Sequence, residues 1–445
     1  NAEKGWVSFI NFRYMNDEKQ MGELAFDPKI DKGTTNHWGS EINTERLDIS
    51  TKVGYVFKDM PYQSVGFQNA FNSHNQQSYF GLNQYNIKQS SYYSNLIFNS
   101  IIDNTMNKFA TGLNFTYDKY QEFVNINDYS RTDNSIGAFF EYTYDNNDNF
   151  SVILGGRVDN HNRLGTFFTP RLHMRYNPWK NAVLRFSAGR GKRSANIFAE
   201  NQPLFASSRT LEIVNSNGKI YGLNPEIAWN YGLSFSQKFS LFGKSADVGF
   251  DLYRTDFQNQ AIVDVMQSPQ EVLFYNLNGK SYANSLQVEF NYEILNHLNL
   301  RSAYKFYDIQ TDYLSGKFQK SLQAKHRFFG NLEYETPLGE KGQQWKFDYT
   351  FNWIGQQQLP NTSTNPIGDK LPEFSSSYSL MNTQITKIFS PTFEVYIGGE
   401  NIGNYIQKKA ILGSENPFGP NFDASVVYAP VFGQMYYAGL RFKIK

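Results

Sequence analysis

The sequence predicts an all-β protein: a transmembrane antiparallel β-barrel of which about eighteen strands are present. Three observations predict it. Apolar and polar residues alternate at period two through most of the 445 residues, which marks strands with one apolar and one polar side. Aromatic residues make up 17% of the chain, with 39 Phe and 30 Tyr, yet mean hydropathy is -0.55. That pairing suits a wall with aromatic bands toward lipid and a polar lining toward water. Short polar turns also alternate with longer loops, so one rim is tight and the other elaborate.

The elements follow in order. "GWVSFINFRY" forms the first strand. In "RLDISTKVGYVF", Leu47, Ile49, Val53, Tyr55 and Phe57 share one side, with Asp48, Ser50, Lys52 and Gly54 on the other. After a turn at Met60-Pro61, "SVGFQNAF" resumes with Val65, Phe67 and Phe71. "KFATGLNFTYD" sets Phe109, Leu113, Phe115 and Tyr117 against Ala110, Gly112, Asn114 and Asp118. "SIGAFFEYTY" sets Ile136, Ala138, Phe140 and Tyr142 against Gly137, Glu141 and Thr143. "SADVGFDLYRTD" and "WKFDYTFNW" repeat the pattern, the latter with Trp345, Phe347, Tyr349, Phe351 and Trp353 on one side. The closing "GQMYYAGLRFKIK" puts Tyr436, Ala438, Leu440, Phe442 and Ile444 toward lipid, opposite Tyr437, Gly439, Arg441, Lys443 and Lys445. Turns are expected at 145–149, 177–181, 242–245, 337–343 and 390–392, and long loops at 17–42, 190–224, 359–374 and 404–432. In such a barrel the short turns are periplasmic and the long loops extracellular. With an even strand count, the C-terminus is then periplasmic. The whole of 1–445 reads as a single barrel domain.

Several classes fall away. No run of 18 apolar residues exists to make a membrane-spanning helix, though a barrel strand needs only about 9–11 residues with every second one apolar. Net charge is +1, which makes no electrostatic case for a nucleic-acid partner. Cys is absent, so no disulfide, thiol catalyst or Cys-based metal site is available. The six His show no HExxH or paired spacing, no phosphate-binding Gly motif joins strand to helix, and no Ser/His/Asp constellation stands out. No enzyme, cofactor or metal is expected. A soluble propeller would carry a blade repeat, and none is found.

Charges belong on the polar side, because one at the lipid midplane costs several kcal/mol. Arg157, Arg171, Arg175 and Arg185 fall there on three successive strands, and Glu289 and Glu333 fall there further along. They serve either as a ladder of cross-strand ion pairs or as a grip on something inside the barrel, a plug or a permeating anion. In the loops, Trp38, Arg193, Phe198, Phe205, Arg209, Phe418 and Phe422 combine rings and cations in a way that suits a mouth for a large ligand. The alternative is that these rings pack the loops against one another.

Six segments carry a family resemblance: "TPRLHMRYNP" (169–178), "LNPEIAWNYGLSFSQKF" (223–239), "YRTDFQNQAIVD" (253–264), "NLNGKSYANSLQVEFNYE" (276–293), "VYIGGENIGNY" (395–405) and "FDASVVYAPVFGQMYYAGLRFKIK" (422–445). Together they resemble the C-terminal part of the barrel of a TonB-dependent outer-membrane receptor of the Bacteroidetes type. The resemblance implies a barrel of 22 strands closed by an N-terminal plug, with about eighteen strands here and the plug and the remaining strands upstream of Asn1. It implies energised import of a scarce nutrient too large for porins (metal chelate or siderophore, haem, cobalamin or glycan). Outer-membrane lipid, the plug and the TonB complex would be partners, with a surface lipoprotein a further possibility. A passive porin-like diffusion channel is the alternative reading.

Overall fold

The computed structural model describes residues 5–214 and 217–444; the terminal Lys445 lies outside them. Eighteen strands build one wall: β1 (Trp6–Gly22), β2 (Gly39–Phe57), β3 (Met60–Phe80), β4 (Asn83–Ile102), β5 (Asn104–Val124), β6 (Arg131–Asp145), β7 (Phe150–His161), β8 (Gly165–Tyr176), β9 (Ala182–Arg193), β10 (Glu226–Leu241), β11 (Lys244–Asn259), β12 (Ser281–Leu295), β13 (Leu298–Tyr313), β14 (His326–Glu335), β15 (Gln344–Ile354), β16 (Tyr378–Ser390), β17 (Phe393–Glu400) and β18 (Met435–Phe442). Each pairs antiparallel with the next in sequence. Among the described residues no pairing joins β1 to β18, so the sheet keeps two free edges. No described helix is long and apolar enough to cross a membrane.

Paired residues in an antiparallel ladder share a face, so the register tests every face assignment at once. One row reads Val53, Phe67, Leu96, Leu113, Ala138, Val158 and Phe168 across β2 to β8. Another reads Phe235, Phe250, Val288, Tyr304, Phe328 and Trp353 across β10 to β15. Tyr436, Ala438 and Leu440 of β18 fall on the same face through Ile397 and Ile385. The result is a continuous apolar belt of exposed side chains, Leu113 at 56% and Ile136 at 61% among them.

The other face is the interior. Loops from opposite parts of the sheet meet, which requires the sheet to curl. Trp38, between β1 and β2, packs against Phe422, between β17 and β18, with ring centroids 5.0 Å apart and the planes tilted by 50°. Asn83, at the start of β4, donates to the carbonyl of Phe205, between β9 and β10, at 3.0 Å. Phe198 and Phe205 pack in one cluster with Tyr85, Ile87 and Val124. Those three stand on the face opposite Leu96 and Leu113, so the loops fold into the polar side of the wall.

Strands run further than the alternation indicates. Residues 17–22 and 39–42 belong to β1 and β2, and 190–193 to β9, rather than to loops. Ladder hydrogen bonds need only backbone; above the lipid no face must be apolar, so the period-two signal fades while the strand continues. On the elaborate rim three connections are short, at 81–82, 125–130 and 162–164, whereas 260–280 and 314–325 are long connections that the composition did not mark.

Candidate functional site

Four long connections interlock at the elaborate rim. Loop 194–225 carries a 3-10 turn, Ala199–Ala206, that buries Ile197, Phe198 and Phe205 to 2% exposure or less. Phe198 touches Phe274 and Tyr221 with centroids 5.6 Å apart in each case, and Phe205 touches Tyr85 at 5.3 Å. Residues Thr210–Ile213 pair parallel to Glu271–Asn276, which pairs antiparallel with Ala261–Asp264. That small sheet joins loop 194–225 to loop 260–280.

Arg209 ties this assembly to the others. Its Nε donates to Asp423 Oδ2 at 2.9 Å, one Nη to the Ser268 carbonyl at 3.0 Å and the other to the Asn361 carbonyl at 3.3 Å. Both charged side chains are almost fully buried. A buried guanidinium is tolerable when its donors are met by a carboxylate and carbonyls.

A second buried hub lies beside it. Arg131 donates to Glu122 Oε2 at 2.8 Å and to Asp133 at 3.2 Å, and it stacks over Tyr120 at 3.9 Å and Tyr221 at 4.6 Å. The Tyr85 hydroxyl donates to Glu122 at 3.0 Å, and Tyr221 donates to the same carboxylate. Burial and then the Asp118 carboxylate push Tyr120 up to about 12. Burial, then Glu122, pushes Tyr85 and Tyr221 the same way. Phenols raised in the fold hold protons that the unfolded chain gives up above its ordinary value of 10.0. Their stabilisation is therefore full below about pH 10 and is lost as pH climbs toward 12. Alkaline titration followed by phenolate absorbance should show these tyrosines ionising late, together with loop opening. Ionisation near 10 with the loops intact would contradict it.

The residues singled out in the sequence fall into two groups. Phe198, Phe205, Arg209 and Phe422 are buried among the loops. Trp38 and Phe418 are half-buried, and Arg193 bridges Glu226 at 2.6 Å and Glu200 at 2.9 Å. Arg193 lines a cavity of about 510 Å³ between the loops and the inner wall, with Glu200, Glu226, Tyr313 and Lys320 also on its surface. Glu122, Arg131, Tyr221 and Asp423 escaped the sequence reading. The one available signal was Glu122 and Arg131 flanking the 125–130 turn.

On the polar face Arg157 pairs with Asp159 at 2.7 Å, Arg171 with Glu141, and Arg301 with Glu333 at 3.5 Å. Arg157, Arg171 and Glu141 line a smaller inner cavity of about 300 Å³. Glu289 accepts from Gln287. Arg175 stands directly opposite Arg185, and among the described residues neither has an ion-pair partner. Like charges placed opposite one another are unfavourable. Arg185→Glu should therefore stabilise the wall by about 0.2–1 kcal/mol through a new pair with Arg175, read as a higher urea midpoint in vesicles. A lower midpoint would contradict that placement.

Comparison with curated proteins by sequence finds no match. Among solved structures the chain is similar to a mutant of the ferric enterobactin receptor PfeA of Pseudomonas aeruginosa, at 11% identity and TM-score 0.66, covering 97% of this chain and 67% of that one. It is similar also to the siderophore receptor PiuA of Acinetobacter baumannii, at 11% and 0.66, covering 98% and 72%. A third is the alcaligin outer membrane receptor FauA of Bordetella pertussis, at 12% and 0.59, covering 89% and 63%. The chain thus spans roughly two thirds of these proteins, and at such identity the likeness speaks for the fold alone. Residues 7–402 match the family described as TonB dependent receptor-like, beta-barrel. That span takes in the first strands, where the sequence showed little beyond strand pattern, and the chain belongs to this family of TonB-dependent receptor barrels.

Proposed function

We propose that this chain is the barrel of an outer-membrane active importer, of the Bacteroidetes type, for a nutrient too large for porins. The observation that carries the reading is the interlocked loop cluster. Four loops, locked by the buried Arg209–Asp423 pair, pack against the inner wall over a cavity of about 510 Å³. A passive channel gains nothing from a roof held by buried ion pairs, whereas a receptor needs a selective vestibule that opens on demand. In this reading Trp38, Arg193 and Phe418 are ligand contacts of the closed state. Phe198, Phe205, Arg209 and Phe422 contact ligand once the loops move.

The inward Arg157, Arg171, Arg175 and Arg185, with Glu289 and Glu333, face a plug supplied by sequence outside 1–445. TonB acts through that plug, and the C-terminus is periplasmic. Two of the similar structures are receptors named for ferric enterobactin and for alcaligin; a metal chelate heads the candidates here, ahead of haem, cobalamin or glycan. A surface lipoprotein is a further partner in this reading. The test is uptake by cells carrying the full receptor before and after collapse of the proton-motive force. Loss of uptake supports the importer; uptake that persists without energy favours the porin-like channel and sinks it.

A further inference from the structure

The β1–β5 ladder rises well above the apolar belt, and its outward side there is neither apolar nor bare. Two outward rows read Glu45, Asn75, Lys88, Gln121 and Asn43, Gln77, Asn86, Phe123. They lie on the same face as Ile49, Phe71, Tyr92 and Tyr117 of the belt, two and three repeats of the pleat higher. Between these rows and the 23–38 loop lies a cleft of about 600 Å³. It is separate from the loop cavity near Arg193.

Carboxamides dominate its lining. The side chains of Asn75, Gln77, Gln84 and Gln121 make no hydrogen bond to protein among the described residues. The ring of Tyr79 is 6% exposed and capped by Lys32 Nζ, 4.8 Å from its centroid. Its hydroxyl is buried with no hydrogen-bond partner, and Glu41 stands opposite it in the ladder. A buried hydroxyl left unpaired is costly unless a ligand completes it.

The chemistry selects the ligand class. A carboxamide presents a donor and an acceptor in one plane, which suits neighbouring hydroxyls. Phe123, 42% exposed at the rim, offers an apolar ring face. Two lysines (Lys32, Lys88) stand against one carboxylate (Glu41), and no Arg lines the cleft, so the bidentate fork that best serves phosphate or sulfate is missing. We propose that this cleft is a binding site for a neutral saccharide, held on the outside of the barrel just above the lipid. The sugar comes either from glycolipid of the surrounding outer leaflet or from free glycan.

The test uses the protein in nanodiscs. Neutral malto-, cello- and manno-oligosaccharides are titrated by calorimetry, and nanodiscs with and without lipopolysaccharide are compared for protection of the cleft in hydrogen exchange. Binding of an oligosaccharide, or protection by the lipopolysaccharide sugar, supports the site and identifies the source. Tyr79→Phe should weaken binding about three- to tenfold without lowering thermal stability, because it removes only a hydroxyl the apo protein leaves unpaired. Gln77→Leu should weaken it too, with the folded barrel checked by heat-modifiable migration. Absence of saccharide binding in both arms overturns the proposal, as does binding that neither substitution changes. Neither result touches the importer reading, which is decided by energy-dependent uptake.

Discussion

Arg209→Ala should open the long loops and leave the wall standing. The guanidinium joins four connections at once: its own loop, Asp423 of the 401–434 loop, Ser268 of the 260–280 loop and Asn361 of the 355–377 loop. Removing it leaves Asp423 buried without its counter-charge, which costs about 3–5 kcal/mol in comparable cases. Asp423 also accepts from the backbone and hydroxyl of Ser425, so part of that loss falls on the local turn. The wall's ladder is untouched. The expected readout is protease nicking within 401–434 and faster amide exchange across Thr210–Ile213, with heat-modifiable migration of the barrel retained. Replacing both partners, Arg209→Met with Asp423→Leu, should restore much of the protection, since an apolar pair leaves no unmatched charge. Nicking no faster than in the parent would show that the aromatic cluster, not the ion pair, holds the roof.

Leu113→Arg should destabilise the barrel by about 2–4 kcal/mol in phospholipid vesicles, the cost of a cation at the bilayer midplane. Leu113 is 56% exposed and sits between Leu96 and Ala138 in the apolar row, so lipid is its solvent. The matched control is Gln287→Arg on the opposite face, in register with Asp251 on one neighbouring strand and Lys305 on the other, and next but one to Glu289 on its own strand. The favourable pair with Asp251 and the unfavourable one with Lys305, each worth about 0.2–1 kcal/mol, largely cancel. Urea midpoints measured for both should differ by several-fold in cost. Equal costs would overturn the assignment of faces, because a slip of one residue exchanges them throughout.

Legibility differed between wall and mouth for a physical reason. In the wall each strand is short of partners but rich in local information. Lipid on one side and water on the other force period two on every strand, and "WKFDYTFNW" betrays its orientation without reference to any neighbour. The alternation vanished in the upper parts of β1 and β2, where both faces meet water, and those residues read as loop. The loop cluster had no such code. Phe198 and Phe205 look the same in sequence whether they await a ligand or fill a core, and only their placement against Tyr85 and Phe274 decides.

Arg209 illustrates the limit most plainly. Its counter-charge lies 214 positions away in sequence, on a loop that arrives only when the wall has curled round. The sequence by itself determined the class of fold and the alternation of faces within the apolar belt, because there the two solvents act on every residue separately. The tertiary structure alone decided which loop residues are buried, which arginines are paired and where clefts open, because those depend on long-range closure that no local period encodes.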